Sequence, residues 1–500
     1  MSLPATQKGH PKGLYVLFAT EMWERFNYYG MRAILILFMT KALLFDKAFA
    51  SNLYGSYTGL CYLTPLIGGY VADRYWGNQR SIIAGGLVMA LGELVLFFCS
   101  TFYHSSPALS SLLFFSGLGL MIAGNGFFKP NISSLVGQLY PKGDRRLDAA
   151  YTIFYMGINV GGAFGPFLCG LFGDTGNPAD FKWGFLIGCI GMLLSVVVQL
   201  LFHHKHVKDS EGKILGLTPA NSPAISTKPL IIIGGMLLFS FVTIGLIYID
   251  AKVFNYLFYL LIGSVTFIAV VIFSEKTLSK IEKSKVAVIF IVSFFVIFFW
   301  SAFEQAGASL TFFADEQTNR NLGFFTVPAS WFQSLNSAFV VSFAPLLAWL
   351  WLKLGKYEPS SPTKMALGLF FLAVGYLWIA FGVKNVQPGI KVSMIWLTGM
   401  YALHTFGELS LSPIGLSLVN QLAPAKFASL LMAVWFTANA FAYKFAGVLS
   451  SLYPDNKTTN FLGIYEMNNL YSFFMLFVFM ALVASIILFF LSRKLQKMMH

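Results

Sequence analysis

Charge is scarce in this chain of 500 residues. Asp, Glu, Lys and Arg together make up 11%, against 57% hydrophobic residues. A water-soluble globular protein carries about a quarter charged residues, because its surface needs them. The scarcity therefore excludes the string of soluble domains that length alone would suggest. Cysteine is thin too. Cys61, Cys99, Cys169 and Cys189 are the only four, all inside apolar segments and none at disulfide or metal-ligand spacing. They read as small hydrophobes packed between helices, and no metal site is expected. The apolar runs lack period-two alternation, which excludes a β-barrel. The polar stretch from Met1 to Lys12 is followed by an apolar run with no small-residue cleavage site, and that run already holds Glu21, Glu24 and Arg25. No cleavable signal peptide is expected. A nucleophile with its base, or a His-Glu-x-x-His cluster, is also missing, and His404 is the only histidine in a late apolar span. Neither an enzyme nor a cofactor is expected.

What is present is apolar bulk, with 53 Phe and 10 Trp. A membrane-spanning helix needs about 20 mostly apolar residues. Such runs lie near 14–40, 52–74, 81–101, 108–130, 148–172, 183–203, 229–249, 253–273, 286–311, 325–352, 364–383, 392–420, 427–451 and 466–492. The net charge of +13 invites a nucleic-acid reading, but the basic residues sit in short clusters between apolar runs. That is a signature of membrane orientation. With both termini placed in the cytoplasm, 22 of the 34 Lys and Arg fall inside, 8 outside, and Arg25, Arg32, Lys129 and Lys444 within spans. The inside clusters include Lys142, Arg145 and Arg146, then Lys276, Lys280, Lys283 and Lys285, then Arg493, Lys494 and Lys497.

The stretch His203 to Lys228 is the longest polar connection. It divides the chain into an amino-terminal six-helix half (1–203), a linker with an extra two-helix hairpin (204–285) and a carboxy-terminal six-helix half (286–500). The hairpin is almost free of charge and is expected to be peripheral. The run His203-His204-Lys205-His206 suits a solvated basic flank at the membrane surface better than a metal site. Six plus six helices is the major facilitator plan, an all-α membrane fold with inverted repeats and a substrate site near mid-membrane; with the hairpin the count is fourteen transmembrane helices. The loop from Gly68 through Asp73-Arg74 to Arg80 resembles that superfamily's loop motif. Asp73 would meet a helix end or a nearby Arg as a latch; a generic charged loop is the rival reading.

A charge in the middle of a membrane helix costs about 2.5–3.5 kcal/mol on insertion scales, so such residues face a cavity or pair. In the first span Glu21, Glu24, Arg25, Tyr28 and Arg32 share an arc of roughly 100°, with Tyr29 beside them. A stripe of carboxylates and guanidiniums suits a protonation switch: protonating a Glu releases its Arg, and a substrate carboxylate then competes for it. Lys129 precedes Pro130, which removes a backbone hydrogen bond and should kink the fourth span. This suits anion capture; a lysine snorkelling from a helix end is the rival. The fifth span offers Asn159 among close-packing glycines. In the second half Glu304, Asn336 and Glu408 are isolated polar groups in apolar spans. Trp435 either lines a side-chain pocket or packs in the core. Glu93 and Lys444 are buried charges to which the sequence assigns no role. Buried cations early in the chain and isolated carboxylates late in it would orient a zwitterion.

The run Glu21-x-x-Glu24-Arg25-Phe26-x-Tyr28-Tyr29-Gly30 resembles the first-helix signature of the proton-dependent oligopeptide transporters (the POT, or PTR, family), and the extra hairpin between the halves resembles its bacterial members. Phe127-Phe128-Lys129-Pro130-Asn131 and Phe154-Tyr155-x-x-Ile158-Asn159-x-Gly161 are similar to that family's other signatures. The resemblance implies a symporter importing di- and tripeptides with protons by alternating access. It implies that Arg25, Arg32 and Lys129 hold the peptide carboxylate, and that Asn159, Asn336 and Glu408 hold its amino terminus. Glu21, Glu24 and Glu304 would carry coupling, with Glu304 pairing with Arg32 in one state. Tyr28, Tyr29, Tyr62 and Trp435 would line the cavity. It further implies a bacterial inner membrane protein whose partners are peptide, proton and lipid, with no nucleic acid and no obligate protein partner. The competing readings are the same fold carrying another organic solute or a peptide-like drug, a membrane-embedded enzyme, and a passive channel or sensor.

Overall fold

A computed structural model describes residues 9–141, 143–144, 146–220, 222–223, 228–252, 256–386, 389–455 and 458–499. Lys142 and Arg145 of the cytoplasmic cluster lie outside the described residues. All fourteen expected spans are helical. They comprise α1 (Lys12–Leu37), α2 (Lys47–Leu63) continued by α3 (Pro65–Val71), α4 (Asn78–Phe102), α5 (Pro107–Gln138), α6 (Leu147–Gly173) and α7 (Phe181–His206). The hairpin is α8 (Pro229–Lys252) and α9 (Tyr256–Ser274). Then come α10 (Lys280–Phe303) continued by α11 (Ser309–Glu316), α12 (Phe332–Leu354), α13 (Ser361–Val383), α14 (Met394–Leu422), α15 (Ala428–Ser450) and α16 (Leu470–Met499). Among the described residues ten of the spans are by themselves long and apolar enough to cross a membrane. Of the remaining four, α1 carries the charged stripe and α2 is only 17 residues long. Two small two-stranded sheets join loop segments: β1 (Thr318–Asn319) pairs with β2 (Val392–Ser393), and β3 (Thr459–Phe461) with β4 (Tyr465–Met467).

The chain packs as two compact units. The first holds the chain up to Arg32, Thr64–Gly173 and Ala179–Leu246; the second holds Ala33–Leu63, Asp174–Pro178 and Ile247 onward. Their boundary falls inside α1 and again inside α8.

In the first unit, glycine sets how closely helices approach. Along α6, Gly157, Gly161 and Gly165 recur every fourth residue and so share one face. That face lies on α1 at Phe18, Met22 and Phe26. A Cβ at Gly161 would run into the Met22 carbonyl oxygen. Without a hydrophobic drive between helices in lipid, such small-residue stripes let backbones pack closely and gain dispersion contacts. The apolar face of α1 therefore meets a neighbouring helix. Gly85 and Gly124 bring α4 and α5 together in the same way. Pro130 lies inside a continuous α5. Its missing N–H leaves the Gly126 carbonyl without a helical donor, and Gly68 of α3 offers the side-chain-free backbone that lets this carbonyl approach.

Two loop expectations are revised in this unit. Asp73 is exposed and makes no hydrogen bond or ion pair with a described residue. The turn is held instead by Gly77, at φ +79 against the backbone of Gly216 and Leu217, and by Gln79 N–H donating to the Gly216 carbonyl at 3.0 Å. Arg80 also donates to the Thr218 hydroxyl. His203 is buried rather than solvated: one ring nitrogen meets Gln199 Oε1 at 2.7 Å and the other the Leu215 carbonyl at 3.0 Å. It fastens the start of the linker to the end of α7.

In the second unit, α2 lies on α15 through Gly55 against Gly447 and Gly59 against Ala440. The helix α10 breaks at Glu304, where a 3-10 turn runs to Gly307. In a membrane the freed backbone groups need local partners. Gln305 supplies part of the repair, its amide donating to the Ser301 and Ala446 carbonyls and its oxygen accepting from Ser309. The hairpin helices are among the least buried spans, 22% in each case, which fits a position against lipid.

Gly161→Ala should push α6 off α1 and destabilise the protein by about 1–3 kcal/mol, the range for overpacking a tight contact. Gly234→Ala, at a position with open space around it, should not. Thermal denaturation in detergent compares the two; equal midpoints would contradict the close contact.

Candidate functional site

In the first unit the α1 stripe forms one buried cluster. Arg25 is 3% exposed, and Glu24 and Glu21 are 0% and 2% exposed. The Arg25 guanidinium donates from Nε to Glu24 Oε2 at 2.5 Å and from Nη2 to Glu24 Oε1 at 2.8 Å. Its Nε also lies 3.1 Å from Glu21 Oε1. The planar guanidinium fork suits such paired contacts, which a lysine could not reproduce. Asn125 of α5 reaches Glu24 Oε1 at 3.4 Å, a partner that sequence reasoning missed. Lys129, one turn further along α5, is within electrostatic reach of both Glu21 and Glu24.

Tyr28 and Tyr29 follow on α1. Each ring has both guanidiniums within cation–π range: Arg25 at 5.2 and 5.9 Å, and Arg32 at 5.7 and 5.1 Å. Out of water such contacts are worth about 2 kcal/mol each. They hold the cations in place while leaving guanidinium edges for hydrogen bonds. Asn159 of α6 is 6% exposed and donates to the Tyr155 carbonyl at 2.9 Å; its amide oxygen remains available as an acceptor. Glu93, without an assigned role so far, is fully buried and accepts from Asn27 Nδ2 at 2.9 Å. The same amide donates to the Gly188 carbonyl at 3.0 Å. Asn27 lies between the stripe and α7, and Glu93 orients it.

The second unit brings another set together. Asn336 of α12 donates to Glu408 Oε2 of α14 at 2.8 Å and sits 3.2 Å from Thr405 Oγ1. Glu408 also feels the charge of Glu304, which is 4% exposed at the break in α10. A helix break at an acid is a device for presenting a side chain at membrane depth, since unwound backbone there is tolerated only beside protein or a wet cavity. Tyr62 of α2 stacks on Tyr443 of α15 at 4.3 Å between ring centroids and accepts its hydroxyl proton at 2.8 Å. Trp435 is 5% exposed and presses on Gly415 of α14, so core packing accounts for part of its burial. His404 is buried among Tyr376 and Phe303. No group of three or more His, Cys, Asp or Glu is gathered for a metal among the described residues.

A bundle of fourteen spanning helices with ionisable side chains gathered inside its two units defines a membrane transporter of the major facilitator fold. The chain belongs to the POT family, whose sequence profile matches residues 79–467. It is 36% identical over 459 residues to the peptide transporter YePEPT of Yersinia enterocolitica, covering 88% of each chain. It is 34% identical to a di-/tripeptide transporter of Lactococcus lactis, covering 91% of this chain and 92% of that one. A POT family transporter solved in complex with 5-aminolevulinic acid superposes with a TM-score of 0.82 at 30% identity, covering 98% and 97% of the two chains.

Arg25→Met would leave Glu21 and Glu24 buried without their cation and should destabilise the protein by about 3–5 kcal/mol. Adding Glu24→Gln should recover part of that loss. Glu93→Gln keeps an acceptor for Asn27 and should change stability by less than about 1 kcal/mol. Thermal midpoints of the four purified proteins decide; a large loss at Glu93→Gln would mean that its charge is required.

Proposed function

We propose that this chain is a proton-coupled symporter that imports di- and tripeptides by alternating access, working in a bacterial inner membrane with both termini cytoplasmic. The observation that carries the reading is the Glu21–Arg25–Glu24 cluster, backed by Tyr28, Tyr29 and Lys129. Two carboxylates hold a guanidinium whose chemistry matches a peptide carboxylate. The relatives named as peptide transporters support it. In this reading Arg25, Arg32 and Lys129 take the carboxylate, and Asn159, Asn336 and Glu408 take the amino terminus. Tyr28, Tyr29, Tyr62 and Trp435 line the cavity. The chain divides into a six-helix half to residue 203, a linker and hairpin to 285, and a second six-helix half. No catalytic step, cofactor or obligate protein partner is required.

The cycle follows from charge. Outside-facing, Glu304 and an acid of the first helix take protons. Arg32 is released from Glu304 and binds the peptide carboxylate. The halves rock about the bound peptide. Inside, the protons leave, the acid–arginine pairs re-form and the empty carrier returns. Two carboxylates outside the spans are held ionised by their partners. Hydrogen bonds from Arg146 hold Asp144 down to about 2, and hydrogen bonds from Lys426 and Thr277 hold Glu275 down to about 2. Both are depressed, so their contribution to stability is complete above the ordinary carboxylate range and is lost as pH falls from there through about 2.

The relative solved with 5-aminolevulinic acid favours one second reading: a carrier of another small zwitterion or a peptide-like drug. Uptake of labelled di-alanine into proteoliposomes, with and without an inward proton gradient, separates the two. Gradient-dependent accumulation competed by tripeptides but not by free alanine is expected; no uptake by folded protein would favour the other solute. Glu304→Gln should abolish accumulation while leaving peptide exchange, and intact accumulation would remove Glu304 from the coupling role.

A further inference from the structure

Asp250, near the end of α8, is 2% exposed, in a hairpin whose sequence is almost free of charge. Its Oδ2 accepts from Lys444 Nζ of α15 at 2.8 Å and from the Ser56 hydroxyl of α2. Its Oδ1 accepts from the Leu257 backbone N–H at 3.1 Å, near the start of α9. One carboxylate thus serves both hairpin helices and two transport helices. Lys444 is fully buried and also donates to Ser56 Oγ at 2.6 Å. Burying a lone ammonium or carboxylate is costly; burying them hydrogen-bonded to each other removes most of the penalty.

The location makes this more than an anchor for a lipid-facing hairpin. Lys444 sits in the seam where α2 lies on α15: its carbonyl would meet a Cβ at Gly55 at 2.9 Å, and its own Cβ a Cβ at Gly59 at 3.5 Å. The residue before it, Tyr443, holds Tyr62. An unpaired ammonium at this depth would draw water or a rotamer change into the seam. The counter-charge that prevents this comes from outside the two six-helix halves.

We propose that Asp250 is a positioning residue of the carrier. By neutralising Lys444 and orienting Ser56, it lets α2 close on α15 and so fixes the Tyr62–Tyr443 pair. The hairpin thereby acts on turnover without touching substrate. This rests on the transport reading above, but its first test does not.

Ser51 and Ser450 place their hydroxyls 3.1 Å apart across the same seam. A Ser51→Cys/Ser450→Cys pair should cross-link readily under mild oxidation. On that background Asp250→Asn or Lys444→Met should each slow cross-linking about tenfold, within the usual range for an energetic coupling. The double change Asp250→Asn/Lys444→Met strands no charge and should return cross-linking toward the starting rate. Asp250→Glu should give an intermediate slowing, and it carries the comparison if Asp250→Asn does not fold. In proteoliposomes the single variants, normalised to folded protein, should lower the maximal uptake rate with little change in KM. Wild-type cross-linking rates in the folded single variants would overturn the proposal. If the parent protein moved no peptide, the transport reading would fall while the cross-linking result still stood or fell by itself.

Discussion

Everything in this protein is arranged around one constraint: an ionised side chain inside a membrane must find its counter-charge within the protein. Arg25 meets it with two carboxylates on its own helix. That solution fixes much else. The stripe needs a non-lipid environment on one face of α1, and the adjoining apolar face is used for packing. The glycines of α6 supply it, receiving Phe18, Met22 and Phe26 at backbone distance. Asn125 then completes the shell of Glu24 from α5. Removing the guanidinium would therefore disturb helix packing as well as charge.

The second unit meets the same constraint differently. Glu408 is answered by the neutral amide of Asn336, and Glu304 sits where the helix itself breaks. An acid held by an amide can exchange its proton without stranding a buried cation. An acid locked to an arginine cannot, unless another anion takes its place. The two arrangements differ in consequence: protonating an amide-held acid leaves no cation stranded, and protonating an arginine-held acid leaves one.

Much of this was legible in the sequence, for a physical reason. Spans must be apolar and about 20 residues long, so all fourteen could be located, and any charge within them stands out. The stripe on α1 followed from helical period alone. What the sequence concealed were features that depend on neighbours. The break at Glu304 has no proline or glycine at the acid itself, and its repair by Gln305 reaches across to Ala446. Asp250 escaped notice because it lies at the margin of an apolar run, where a charge is ordinarily solvated; only its contact with Lys444 reveals burial. His203 was concealed in the same way, within a basic run whose other members are less buried. Asp73 erred in the opposite direction: the motif suggested a latch, and the structure secures that loop through Gly77 and Gln79.

Charge accounting sets the two units apart. Among the residues assigned to substrate and coupling, the first unit carries three cations, Arg25, Arg32 and Lys129, against two carboxylates, Glu21 and Glu24. The second carries two carboxylates, Glu304 and Glu408, and no cation from that set. In the proposed transport reading, a peptide carboxylate is drawn to the surplus cation of the first unit. A proton arriving with it removes one carboxylate from the balance and so releases one guanidinium. In that reading proton and peptide favour each other's binding, because the proton frees the guanidinium that the peptide carboxylate takes. Coupling of this kind needs no conformational signal passed over a distance. It needs only buried acids and arginines too costly to leave unpaired, which the sequence of α1 already contains.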